Sequence, residues 1–237
     1  MLPDPTELIR NLELETPLIG LYDAPDTAPF EPLCGPKPGK RACIFAFYKS
    51  WLRGETLHLT ADNYGCGGAG SWLWDIKTRT REEYILFLVD DEGLKASHDL
   101  MGEWIDHINP YQPENDHLLI GPLQPGQERY LKTVTFMVNP DQLSLLLTGA
   151  QYHARPSDPP PTLAPFGSGC MQLLTAFADL GQPQSLIGAT DIAMRQYLPS
   201  NMLAFTATVP MFERLCTLDN KSFFHKPFIK RLRKVRS

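Results

Sequence analysis

The chain has 237 residues, 43% of them hydrophobic and four of them Trp, a content that excludes a wholly disordered polypeptide. Its net charge of −5 hides a split: all 27 carboxylates and 15 of the 22 Lys and Arg lie in residues 1–219, so that body carries −12 while residues 220–237 carry +7. An acidic body argues against a surface built to cover nucleic acid, and the basic end marks an interaction tail.

Asp4, Pro5 and Glu7 open a short helix that keeps Leu8 and Leu12 on one face through Leu14. PLIGLYD (17–23) reads as a strand, and Ala24 to Lys40 as a Pro- and Gly-rich connection. In CIFAFYKSWLRG (43–54) the apolar residues fall at helical spacing and Gly54 supplies the stop. LHLT (57–60) is a strand feeding the small-residue run NYGCGGAGS (63–71). Two helices, Arg81 to Glu92 and Ala96 to Ile108, break at Gly93, the second with a buried stripe of Leu100, Met101, Trp104, Ile105 and Ile108.

HLLIGPL (117–123) and TVTFMV (133–138) read as strands. Asn139, Pro140 and Gln142 provide a cap, a first-turn proline and the second half of a capping box, so a helix runs over 140–148 and Gly149 ends it. After the proline-rich loop 154–167 a helix spans about Ser168 to Leu180. SLIGA (185–189) is a strand, with Thr190 capping a helix that Pro199 terminates. LAFTATV (203–209) is a further strand, and Pro210 begins another helix.

These elements predict an α+β fold: a single domain over 1–219 with a mixed β-sheet flanked by helices, followed by a basic amphipathic tail over 220–237. Five scattered cysteines make a poor disulfide framework, and the first residues lack the basic start and apolar run of an export signal. The longest uncharged stretch, Pro159 to Ala178, is broken by PPP and FGSG, so no transmembrane segment is expected. The expectation is a cytoplasmic protein with free thiols.

Three segments are placed to carry chemistry. Gly65-Cys66-Gly67-Gly68-Ala69-Gly70 has the G-x-G-x-x-G spacing of a dinucleotide fingerprint, with Asp90 twenty residues beyond the last glycine. It lacks the immediately preceding apolar strand, and the segment bearing Asp90 reads as a helix. The run then stands either as a backbone pocket with Cys66 in its wall or as a tight turn beside Trp72 and Trp74. Ser168, Gly169 and Cys170 begin a helix, where free N–H groups would stabilise a thiolate or an anion, unless Cys170 is a packed, inert thiol. Asp191 and Arg195 fall one helical turn apart, to pair with each other or to present a cation to a ligand.

No Cys-x-x-Cys pair is present and no metal site is assigned, although dispersed cysteines can hold an iron–sulfur cluster. Asp99, Glu103 and His107 recur every four residues on a helix and read as a solvated face. In the tail, Phe228, Leu232 and Val235 form one stripe ringed by cations, which docks on the acidic body in cis or on a second subunit, or touches an anionic membrane surface, RNA or an acidic partner.

Taken together, CGGA (66–69), TVTFMVNPDQLSLL (133–146), GSGC (167–170), GATDIAMR (188–195) and LAFTATVPMFERL (203–215) resemble the domain-of-unknown-function family numbered 169 over most of residues 7–217. The resemblance implies a cytoplasmic prokaryotic protein with an α+β fold and recurrent cysteines, and it carries no agreed activity. It marks Cys66, Cys170, Asp191 and Arg195 as positions of interest. The expected function is binding of a small anionic ligand or cofactor in a pocket lined by Cys66, Gly67, Gly68, Ser168, Gly169, Cys170, Asp191 and Arg195. The alternatives are a thiol-redox or iron–sulfur enzyme using Cys66 and Cys170, and an interaction protein, homo-oligomeric or otherwise, acting through its tail.

Overall fold

The computed structural model describes residues 2–37, 40–60, 63–65, 79–167, 169–173 and 179–236. The alternating segments become β1 (Ile19–Ala24), β3 (Thr56–Leu59), β4 (His117–Pro122), β5 (Leu131–Val138), β7 (Ser185–Gly188) and β8 (Leu203–Thr208). Two strands of two residues each, β2 (Leu33–Cys34) and β6 (Thr162–Leu163), lie in the segments read as proline-rich connections. They are too short to leave a periodic signature, and pairing comes from a parallel neighbour, β3 for β2 and β7 for β6.

The strands form one eight-stranded sheet in the order β2-β3-β4-β1-β5-β8-β7-β6, the other pairings being antiparallel. Strands from both sides of the proline-rich loop share it, so an α+β fold with a mixed sheet flanked by helices is the architecture. Both faces are covered. Ile19, Leu21, Leu57, Leu59, Leu118, Ile120 and Met137 face a layer built from segments 44–52, 81–108, 169–173 and 189–198. Tyr22, Leu119, Val134, Phe136, Val138, Phe205 and Ala207 face the helices Thr6–Leu12, Pro140–Gln151 and Val209–Cys216. At the sheet centre the first face is threonine-rich: Thr135 and Thr206, side by side and buried, share a hydrogen bond of 2.9 Å, and Thr133 donates to the Leu173 carbonyl at 2.8 Å.

The Asn139/Gln142 capping box forms as expected, but the helix continues to Gln151. Gly149 sits inside it because a Cβ there would lie 2.8 Å from Leu215 Cδ2, so this glycine permits helix packing rather than ending the helix. The basic tail lies against the second layer. Phe223, Phe224 and Ile229 are buried, Arg233 pairs with Glu13 at 2.9 Å and Arg236 with Asp141 at 2.6 Å. The stripe expected at Phe228, Leu232 and Val235 is not the one that docks: Phe228 is 59% and Val235 75% exposed, and the inward face carries Ile229, Leu232, Arg233 and Arg236. The upstream Phe223/Phe224 anchor and Pro227 at the helix start set that rotation.

Candidate functional site

On the first layer a cavity of about 380 Å³ opens where chain-distant segments meet. A bridge between Ala42 and Tyr64, with Gly65 N donating to Ala42 O at 3.2 Å, sets Gly65 beside Cys43 as one wall. The approach is tight, since a Cβ on Gly65 would lie 2.7 Å from Arg41 Cβ.

The second wall comes from the helical segment after Thr80, whose side chain caps Arg81–Leu86 through a reciprocal box with Glu83. The helix expected to reach Glu92 instead widens into a π turn at Phe87–Asp91, with Glu92 N donating to Phe87 O at 3.0 Å. The extra residue in the turn brings Phe87 and Leu88 into the lining, and Gly93 at φ +64° reverses the chain so that Leu94 joins them. Trp104, from the helix His98–Asp106, meets Phe166 of the proline-rich loop edge-to-face at 5.0 Å to form the third wall.

Segment 189–202 supplies the fourth. The helix expected after Thr190 does not form: residues 192–194 make a turn and Arg195–Tyr197 a single 3₁₀ turn. Asp191 Oδ1 accepts from Ala193 N at 3.0 Å, the local side-chain bond that competes with a helix. Its Oδ2 accepts from Gly169 N at 3.2 Å, tying this turn to the Gly167–Cys170 segment. Arg195 turns to the backbone rather than to Asp191. Its guanidinium donates to the carbonyls of Ala189 at 3.2 Å, Pro199 at 3.1 Å, Ser200 at 2.9 Å and Met202. A planar fork of donors can satisfy several carbonyls at once, and here it clamps the loop.

Of the residues expected to form a site, Asp191 lines the cavity, Gly169 is held by Asp191, and Arg195 acts behind the wall as a clamp. Cys66, Gly67, Gly68 and Ser168 lie outside the described residues. Cys170 is buried, 4% exposed, with Sγ 2.8 Å from Tyr64 Oη; it is a core residue rather than an exposed thiol. The Asp90 carboxylate meets His98 Nε2 at 2.8 Å in the π turn, so the glycine spacing has no ribose-binding acid at a strand end. Among the described residues no three His, Cys, Asp or Glu converge as metal ligands, and Asp99, Glu103 and His107 are exposed.

The described lining carries two carboxylates, Glu92 and Asp191, and no Lys or Arg. Partial desolvation pushes the Glu92 carboxyl above its ordinary value, the Asp191 charge adds to this, and Arg79 opposes it. Arg79 and Lys95 stand just outside, over the Phe87 ring at 4.0 Å and the Phe166 ring at 4.3 Å. Burial raises the Cys34 thiol to about 11 and, in the opposite layer, that of Cys216 to about 12, which keeps both protonated. Sequence reasoning missed Phe87, Glu92, Phe166 and Tyr197 as lining residues, and it placed Trp104 in a buried stripe. The one local signal was Glu92 directly before a helix-breaking glycine.

Among the described residues no helix is long and apolar enough to cross a membrane. No curated protein and no solved structure matched the chain. A family model does, over residues 7–217, and on that match the chain belongs to the family of unknown function DUF169, described as uncharacterised ArCR.

Proposed function

We propose that this protein binds a small organic ligand or cofactor in the cavity between Gly65, Phe87–Leu94, Trp104/Phe166 and Thr190–Tyr197. The observation that carries the reading is the convergence of chain-distant turns on one concave, largely apolar space with few polar groups, the usual character of a small-molecule site. Its size falls within the ~300–1,000 Å³ typical of such sites. The free thiols at Cys34 and Cys216 fit a reducing compartment, which supports a cytoplasmic setting. The docked tail serves in this reading as a strap on the body rather than as a separate binding module.

Phenylpropanol, a neutral probe small enough for the cavity, tests this. It should shift the Trp104 indole N–H resonance in the unmodified protein, and the shift should vanish in Ala193→Trp, which plugs the mouth. A shift that survives the plug refutes the reading, and so does the absence of a shift with phenylpropanol and with both its charged analogues, phenylpropylammonium and phenylpropanoate.

A further inference from the structure

The sequence pointed to an anionic ligand, and the geometry points to the opposite charge: we propose that the cavity takes an organic cation, a protonated amine carried on an apolar body. This deepens the ligand-binding reading above and rests on it.

Three observations carry the inference. First, the charged groups of the described lining are the carboxylates of Glu92 and Asp191, and Arg195, the nearest candidate for an anion anchor, spends its guanidinium on four backbone carbonyls. An anion placed here would meet two like charges in a partly desolvated space without a counter-ion in that lining, whereas an ammonium would be neutralised by either carboxylate. Second, the apolar walls are aromatic. Trp104 and Phe166 meet edge-to-face, with Phe87 and Tyr197 on neighbouring walls, and ring faces attract cations through their quadrupole.

Third, two of these rings already hold cations of the chain itself, Lys95 Nζ over Phe166 at 4.3 Å and Arg79 over Phe87 at 4.0 Å. Each occupies one face of its ring, so a bound ammonium would meet Trp104 and Tyr197 in the lining instead. Glu92 adds support. It is exposed at the rim, and partial desolvation together with the Asp191 charge disfavours its ionised form, which Arg79 offsets only in part, so a bound ammonium would relieve the repulsion.

The test compares three probes that share a phenyl body: phenylpropylammonium, phenylpropanol and phenylpropanoate, titrated at pH 7.5 with the Trp104 indole resonance as readout. The cation should bind about tenfold tighter than the alcohol, with the carboxylate weakest. In Glu92→Gln, a rim substitution that keeps the side-chain shape, the advantage of the cation over the alcohol should shrink to about twofold. If the alcohol or the carboxylate binds as well as the ammonium, the charge assignment is overturned while the cavity reading stands. If the cation advantage persists undiminished in Glu92→Gln, the assigned recognition is wrong. If none of the three shifts Trp104 in a manner blocked by Ala193→Trp, both the charge assignment and the cavity reading fall.

Discussion

Replacing Arg195 by Met keeps the apolar stem and removes only the guanidinium, so it isolates the clamp on the cavity loop. Four carbonyls lose a donor. Those of exposed Pro199 and Ser200 can be rehydrated, and their loss costs little. Ala189 is fully buried and Met202 half-buried, and depriving each of a charged donor costs about 1 kcal/mol or somewhat more, giving about 2 kcal/mol in all. For a chain of this length that lowers Tm by about 4–8 °C. Arg195→Lys should fall between the two, because a compact ammonium cannot reach four separated carbonyls. Urea unfolding with an unchanged m-value is the assay, with phenylpropylammonium affinity measured alongside, which should weaken as the loop loosens. A stability change under about 0.5 kcal/mol, in the range of an ordinary surface substitution, would refute the clamp and return Arg195 to the role of a ligand anchor.

Other perturbations separate competing readings in the same way. Ile229→Ala should destabilise the protein by about 2–4 kcal/mol because its side chain is buried, whereas Phe228→Ala and Val235→Ala should stay within about 0.5 kcal/mol; equal effects would restore the stripe expected from the sequence. Thr135→Val should cost about 1–3 kcal/mol by leaving the Thr206 hydroxyl unpaired, while the double Thr135→Val/Thr206→Val variant should recover most of it, as measured by a double-mutant cycle. Glu92 has a folded-state pKa above its ordinary 4.5, so its charge opposes folding at pH above the folded value and ceases to do so as pH falls below 4.5. Glu92→Gln should therefore be more stable than the parent near neutrality, with the gain fading in acid; a gain independent of pH would contradict the cause assigned. Cys34 and Cys216, held protonated by burial, should be alkylated by iodoacetamide far more slowly than a free thiol at pH 8 and at its normal rate after unfolding in urea.

What the sequence determined by itself was local. Asn139, Pro140 and Gln142 start a helix wherever they meet an apolar run, because the cap satisfies its own orphan N–H groups. Gly54 and Gly93 reverse the chain at positive φ, and the alternation of β5 and β8 follows from one strand needing two faces. Those signals are complete within a few residues, and they sufficed for the α+β class. The tertiary structure decided everything that depends on a distant partner. Gly149 reads as a helix stop until Leu215 lies against it, and the tail stripe turns by its anchoring at Phe223 and Phe224. Arg195 reads as a free cation until four carbonyls from a folded-back loop surround it. The charge character of the cavity belongs to the same class. Glu92, Asp191, Trp104 and Phe166 are up to 99 residues apart, and only the packing of their segments against one face of the sheet makes them neighbours of a single space.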